Sequence, residues 1–310
     1  MEVNTLAQSI IEENIKETTN QTGKKSKSGN PSKRINKQKM LIKLLSYLLL
    51  LVITCITIVP FLFALSTSLK GTNDVLFSIP PQLIPKNITF DNFITVWNTL
   101  PIARYLMNSV ILTFFGVVLP LILCSFAAFP LARMTFKGRN FVFLLVIATM
   151  MIPGEVTMIP TYLIIDKLGL MGSYAGVILP GAISVMGIFL MRQGFMGIPK
   201  EVEESAIIDG ANVWQVFWKI MFPMVKPMLG VLTILSFMGA WNSFLWPLLI
   251  LNDPSTYPIT LGLYQLQGAF SANTRLVAAG AMIALVPIII VFIAFQRYFI
   301  EAAYSSSVKG

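Results

Sequence analysis

The sequence predicts an all-α, polytopic membrane protein with six transmembrane helices. Of its 310 residues, 55% are hydrophobic and only 12% are charged, and its mean hydropathy is +0.74. Soluble domains carry about 25% charged residues. Several apolar runs exceed the roughly 20 residues that a bilayer requires. Membrane spans therefore explain the composition better than a large soluble core.

Counting residues between flanking charges gives the six spans. Five runs contain 21 to 28 residues without a charge, and a sixth contains 26 residues in which Glu155 is the only charge. The spans form one domain, 41–300, between a basic tail, 1–40, that is predicted to be disordered and a short C-terminal tail, 301–310. The predicted spans are residues 44–69, 105–132, 140–165, 168–191, 227–252 and 276–296.

The distribution of Lys and Arg predicts that both termini are cytoplasmic. In that orientation 18 of these residues lie on the inner side and 5 on the outer side. The net charge of +9 is then a property of loops and flanks, so lipid is the expected surroundings and no nucleic-acid partner is predicted. The loop 192–226, between spans four and five, becomes cytoplasmic. The outer segment 70–104 is read equally as a capping loop or as a surface for an external partner.

The loop 192–226 predicts a helix, a sharp turn and a second helix. Glu201, Glu203 and Glu204 follow Pro199, and both proline and negative charge favour a helix N-terminus. Asp209-Gly210 ends that helix. A second apolar stripe has helical spacing and is formed by Val213, Val216, Phe217 and Ile220. On physical grounds alone, an interfacial helix hairpin packed on the protein's own spans is an alternative to a docking device.

Several motifs resemble one family of transport proteins. Glu204-Ser205-Ala206, Asp209-Gly210-Ala211, Ile220, Pro223 and Pro227 resemble the EAA loop of bacterial ABC-importer permeases. The stretches 132–139, 153–170 and 241–248 resemble the carbohydrate-uptake branch, of the maltose-transporter second-permease type. The resemblance covers about residues 44–300 and implies a type I ABC-importer permease fold. Ser205 departs from the pattern, because the family usually has alanine there.

The resemblance implies a transport subunit rather than an enzyme. Its loop would dock on a cytoplasmic ATP-binding subunit, so ATP and Mg²⁺ would be bound by partner subunits and this chain would need no cofactor. The implied partners are a second, related permease, two ATP-binding subunits and an extracellular solute-binding protein, in a bacterial plasma membrane. The implied coupling residues are Glu204, Ser205, Ala206, Asp209, Gly210, Ala211, Ile220 and Pro223.

Three residues are candidates for the translocation path. Glu155 is an ionisable residue inside a predicted span, which indicates either a path residue or a local cap after Pro153-Gly154. Trp241 and Asn242 offer an aromatic face and an amide that suit a sugar, although helix packing explains them more simply.

Other functions remain open at this point. The chain has no G-x-x-x-x-G-K-[ST] motif, which predicts that it does not cradle nucleotide phosphates itself. It has no histidine, and Cys55 and Cys124 both lie within apolar runs, so no metal site or disulfide is predicted. The alternatives are a secondary transporter coupled to ions through Glu155, a membrane scaffold, and an importer of glycerol phosphate or a polyol.

Overall fold

The computed structural model describes residues 37–76, 82–269 and 273–307. Within these ranges the regular structure is helical, apart from one isolated bridge between Lys70 and Ile88. The chain divides into two compact units, 1–59 and 60–310. Most of the tail predicted to be disordered, up to residue 36, lies outside the described residues.

The helices follow one another through short connections. Their bounds are α1 Lys37–Leu69, α2 Asp91–Thr99, α3 Ile102–Arg133, α4 Arg139–Ala148, α5 Gly154–Lys167, α6 Tyr174–Ile178, α7 Val185–Met196, α8 Lys200–Ile208, α9 Val213–Met224, α10 Lys226–Trp241, α11 Leu245–Ile250, α12 Ile259–Ala269 and α13 Thr274–Ser307.

Helix length and hydropathy mark the candidate membrane spans. Three helices qualify alone, within α1, α3 and α13, with mean hydropathies of 2.9, 2.6 and 2.9. Three bent pairs also qualify, so up to six spans are present if each pair crosses the membrane once. The bends are 101° at α4–α5, 47° between Tyr174–Gly181 and Val185–Met196, and 75° at α9–α10.

The third predicted span, 140–165, is not one continuous helix. Helix α4 passes through a 3-10 turn, Thr149–Met151, and the chain then turns sharply before α5. Pro153 explains the break, because it lacks an N–H and pushes the preceding residue into an extended conformation. Ile152 accordingly has φ −90° and ψ 116°.

The fifth predicted span, 227–252, is also broken. Helix α10 ends at Trp241, and α11 begins after a three-residue gap. Pro247 cannot donate an N–H to the carbonyl of Ser243, four residues earlier. The Thr260 hydroxyl donates to that carbonyl instead, at 2.8 Å. This contact ties the break to α12, a helix in a region where no span was predicted.

Two apolar clusters hold the second unit together. One joins α3, α7, α8, α9 and α10 and is centred on Phe129, Phe195 and Phe217, whose ring centroids lie 5.1 to 6.1 Å apart. The other joins α2, α3, α10, α12 and α13 around Tyr105 and Trp241. These clusters lie near opposite ends of α3, and a cavity lies beside the middle of that helix.

The outer segment predicted from the sequence, 70–104, is fastened to the helices. Arg275 on α13 donates to the backbone carbonyls of Thr72 and Asp74, at 3.1 and 2.6 Å. Asn92 donates to the carbonyls of Ser68 and Lys70, both at 2.9 Å. These bonds hold the described part of the segment against the helices, and both readings, a capping loop and a surface for an external partner, stay predictions.

Candidate functional site

The loop 192–226 contains the predicted helix, turn and helix. Pro199 immediately precedes α8, and Glu201 and Glu203 lie in its first turn, where the positive end of the helix dipole favours carboxylates. The π-helix Val216–Met221 winds the middle of α9, just before Pro223 removes an N–H from the next turn. The expected start of the first helix and the break after it are both confirmed.

Gly210 sets the turn between α8 and α9. Its φ is +85°, and its N–H donates to the carbonyl of Ile207 at 3.0 Å. The N–H of Ala211 donates to the carbonyl of Ala206 at 2.9 Å. These two bonds form a Schellman cap, which needs a residue that tolerates the left-handed conformation. A Cβ at Gly210 would meet no atom within 4 Å, so the constraint within this chain is conformational and not one of close approach.

A reciprocal cap starts the second helix. Asn212 accepts a hydrogen bond from the backbone N–H of Gln215 at 2.9 Å, and the Gln215 side chain accepts one from the N–H of Asn212 at 2.8 Å. Such a capping box satisfies donors that helix formation leaves free. The loop is therefore shaped by its own local sequence.

The predicted coupling residues fall on two faces of the loop. Ala206 is buried, and Ala211 and Ile220 are half-buried against the Phe217 cluster. Glu204 and Ser205 lie on the outward face of α8 beside the apolar side chains of Ile207 and Ile208, and Asp209, Gly210 and Pro223 are also exposed. The outward face is thus a short strip of apolar and acidic side chains, and the opposite face packs against the protein's own apolar cluster.

A cavity of about 640 Å³ lies between α3, α5, α6, α7, α10 and α11. None of the described residues that line it is charged. Glycines bring its walls together: a Cβ at Gly116 would lie 2.8 Å from the Ala240 Cβ, and one at Gly187 would lie 2.8 Å from Cys124 Sγ. Its polar side chains are those of Thr157, Thr161, Ser184, Ser236, Ser243 and Trp246.

The cavity's polar groups are held in place by backbone contacts. The indole N–H of Trp246 donates to the carbonyl of Gly176 at 3.2 Å. The hydroxyls of Thr157 and Thr161 donate to carbonyls one turn earlier, at 2.9 and 2.7 Å. Because these hydroxyl protons are used, the oxygen atoms keep lone pairs that can accept hydrogen bonds from a solute.

The three predicted path residues lie outside this lining. Glu155 is exposed in the first turn of α5, where the helix dipole favours its charge, and no side-chain cap hydrogen bond forms at this helix start. Trp241 is 2% exposed, stacks on Phe237 at 5.6 Å and donates to the carbonyl of Ala284 at 3.2 Å. Its position supports the helix-packing reading. Asn242 is exposed and donates to its own helix.

Sequence reasoning missed the groups that form the cavity. Trp246 lies in the stretch 241–248, five residues after Trp241, and the different surroundings of the two rings arise from the break between α10 and α11. The hydroxyl residues are common in membrane helices and carry no motif of their own. A second missed residue is Arg133, the last residue of α3, which is buried and forms an ion pair with Glu203 at 3.7 Å.

Comparison with known proteins agrees with this architecture. A curated relative, the arabinooligosaccharides transport system permease protein AraQ of Bacillus subtilis (strain 168), is 35% identical over 85% of this chain and 94% of its own length. The melibiose/raffinose/stachyose import permease protein MelC of the same strain is 34% identical over 85% and 95%. The sn-glycerol-3-phosphate transport system permease protein UgpE of Yersinia pestis bv. Antiqua (strain Antiqua) is 33% identical over 74% and 85%.

A solved structure and a family model extend this result. A chain in the crystal structure of a bacterial ABC transporter involved in the import of the acidic polysaccharide alginate superimposes with a TM-score of 0.74 at 26% identity, covering 88% of this chain and all of that one. Residues 121–302 match the family described as binding-protein-dependent transport system inner membrane component. The chain belongs to this family of ABC-transporter permeases.

Proposed function

We propose that this chain is the permease subunit of an ATP-driven importer that carries a neutral carbohydrate across the plasma membrane. The observation that carries the proposal is the 640 Å³ cavity, which offers hydroxyl oxygens, one indole ring and no charged side chain among the described lining residues. Hydroxyl groups and an aromatic face suit a sugar ring. Two of the relatives above are named for the transport of oligosaccharides.

The lack of charge in the lining favours a neutral cargo over an anionic one. Moving an anion from water into a site without a compensating charge is strongly unfavourable. The relative named for sn-glycerol-3-phosphate and the structure named for alginate both carry anions. We therefore rank an oligosaccharide or a sugar first, a polyol second and glycerol phosphate last.

The loop 192–226 supplies the connection to the energy source. On its outward face, Glu204 and Ser205 lie beside Ile207 and Ile208. This face suits insertion into a cleft on an ATP-binding subunit. Burial of the two isoleucines would contribute affinity, and Glu204 would fix orientation against a cationic group. Two such subunits would bind ATP and Mg²⁺ outside this chain, with both termini of the permease in the cytoplasm.

Transport would then follow alternating access. ATP draws the two ATP-binding subunits together, the docked loops move with them, and the paired permeases turn the cavity from the inner to the outer side. A solute-binding protein delivers the cargo at the outer side. The second permease supplies the other wall of the path.

An uptake screen on a strain lacking this chain tests the proposal. Neutral mono- and oligosaccharides, polyols and glycerol 3-phosphate would be offered separately, with plasmid-borne chain as the control. We expect restored uptake of a neutral carbohydrate and no change for glycerol 3-phosphate. Restoration confined to an anionic solute would contradict the neutral cargo, and an unchanged profile for every carbohydrate would overturn the function.

A further inference from the structure

The last residue of α3, Arg133, joins three other segments. Its guanidinium donates to the backbone carbonyls of Phe195, at the end of α7, and of Ile198, in the connection to α8. The same group lies 3.7 Å from a carboxylate oxygen of Glu203, in the first turn of α8. The Arg133 side chain is 5% exposed, so these contacts replace its solvent.

A second arginine connects the same two helices in the opposite direction. Arg192, on α7, donates from Nε to the carbonyl of Leu131, near the end of α3, at 3.1 Å. Its guanidinium also lies 3.9 Å from the ring centroid of Phe143 on α4. The ends of α3 and α7 are thus joined by a side chain from each. We call Arg133 and Arg192 the arginine clasp.

The chemistry of Arg133 explains why another residue would not replace it. The carbonyl of Phe195 accepts the N–H of Ile198 at 3.2 Å and keeps a second lone pair for Arg133. A planar guanidinium presents several N–H groups in a fixed fork, which lets one side chain reach two carbonyls and face a carboxylate. A lysine has one compact ammonium group and would hold fewer of these contacts at once.

Helix α8 has few other attachments to the spans. It is nine residues long, and Ala206 is its one fully buried side chain. A helix of that length is marginal without tertiary contacts. Among the described residues, α8 is attached by the packing of Ala206 and Val202 against the cluster around Phe217 and by the pair of Glu203 with Arg133.

The two helices held by the clasp also form walls of the cavity. Gly116 on α3 and Gly187 on α7 both line it. Residues 116 to 133 span about 26 Å at 1.5 Å per residue. They belong to one helix, with Pro120 and Pro130 inside it, so α3 connects the clasp to the cavity. A displacement of α8 that is passed to Arg133 would move both walls together.

We infer that Arg133 is a positioning residue that makes α8, α3 and α7 move as one body, and so transmits motion from the ATP-binding subunit to the cavity. The inference rests on the proposed function, because it needs a docked subunit to move α8. It assigns a role to a residue in a stretch, 132–139, whose role the sequence left unspecified.

A labelling experiment on the complete importer tests this role. With Cys55→Ser and Cys124→Ala as background, Ser236→Cys places one thiol in the cavity wall. The ratio of maleimide labelling rates with and without ATP and vanadate reports cavity movement. We expect Arg133→Met to reduce this ratio at least fivefold towards 1 while the ATP-binding subunit still copurifies and ATP hydrolysis continues. Arg133→Lys should retain part of the ratio.

Two further variants separate transmission from folding. Arg139→Met is the matched control, because among the described residues Arg139 donates a hydrogen bond to the carbonyl of Met134 in its own turn, and its charge lies near Arg192 rather than Arg133. It should keep the unmodified ratio. Glu203→Gln should lower the ratio about twofold without loss of the subunit, because it removes the charge pair and leaves the carbonyl contacts.

The outcomes are distinct. An unchanged ratio in Arg133→Met overturns the inference. So does loss of the ATP-binding subunit from Arg133→Met combined with an unchanged ratio in Glu203→Gln, because Arg133 would then only support the fold. If the unmodified chain itself retains no ATP-binding subunit, the proposed function fails first.

Discussion

Two tryptophans five residues apart show how strongly surroundings determine a role. Trp241, the last residue of α10, is buried against α13, whereas Trp246, on α11, lines the cavity. Both donate their indole N–H to a backbone carbonyl at 3.2 Å, so hydrogen bonding does not distinguish them. The difference is which ring face remains accessible to a solute.

This difference predicts that substitution of Trp241 changes stability, whereas substitution of Trp246 changes the KM for uptake. Trp241→Phe removes the bond to the Ala284 carbonyl and should lower stability by about 1 kcal/mol, with the KM for uptake unchanged. Trp246→Leu removes the aromatic face in the cavity and should raise KM about three- to tenfold, as expected for the loss of about 0.5–1.5 kcal/mol of aromatic contact. Thermal unfolding in detergent and initial uptake rates measure the two effects. Equal KM changes in both variants would contradict the assignment.

Gly210 gives a prediction that depends on backbone conformation. At φ +85° a β-branched residue is strained, so Gly210→Val should distort the turn after α8 and abolish ATP-driven uptake while the protein stays in the membrane. Asn tolerates this conformation best among the other residues, so Gly210→Asn should retain partial uptake. Gly197→Ala is the control, because Gly197 has φ −73° in the same loop. Normal uptake by Gly210→Val would refute the docking role.

Glu155 separates an ATP-driven importer from an ion-coupled transporter. It lies in the first turn of α5 and does not line the cavity. Glu155→Gln should therefore leave ATP-driven uptake within about twofold, since a helix-dipole contact contributes only about 0.3–1 kcal/mol. Uptake would be compared with and without a proton gradient. A collapse of uptake together with loss of its proton dependence would favour ion coupling.

At the scale of elements, breaks in the helices shape the cavity. The turn at Pro153 brings α5 to it, and the gap between α10 and α11 contributes Ser243. Pro153 and Pro247 are visible in the sequence, but a proline alone does not fix the angle of the bend. The group that pairs with a freed carbonyl comes from elsewhere in the chain, as the Thr260 hydroxyl, which donates to the carbonyl of Ser243, shows.

Removing that partner should destabilise the break. Thr260→Val keeps the side-chain shape but leaves the Ser243 carbonyl unpaired, which should lower stability by about 1–3 kcal/mol. Thr260→Ser keeps the hydroxyl and serves as the control, with a smaller loss. Thermal unfolding of the purified importer would compare them. Equal stability of Thr260→Val and the unmodified chain would show that this bond does not hold the break.

For the whole molecule, the features that could be predicted from the sequence are those determined by residues close together in the chain. Pro199 marks the start of α8 because its ring restricts its own backbone, and Gly210 marks the end because glycine adopts a positive φ without strain. The apolar runs mark membrane segments because hydropathy is a sum over neighbours. Arg133 and Glu203 are 70 residues apart in the chain, so their pair depends on helix packing that no local pattern records. The cavity depends in the same way on six separate helices.

We expect this chain to move its cargo only when separate ATP-binding subunits act through the loop 192–226. The most direct measurement is uptake of the carbohydrate identified by the screen into liposomes. These would contain either this permease with its partner permease, or the full complex with ATP-binding subunits and binding protein. We expect uptake only by the full complex with ATP, and none when Gly210→Val is present. Concentrative uptake by the permeases alone, without ATP-binding subunits, would contradict the claim.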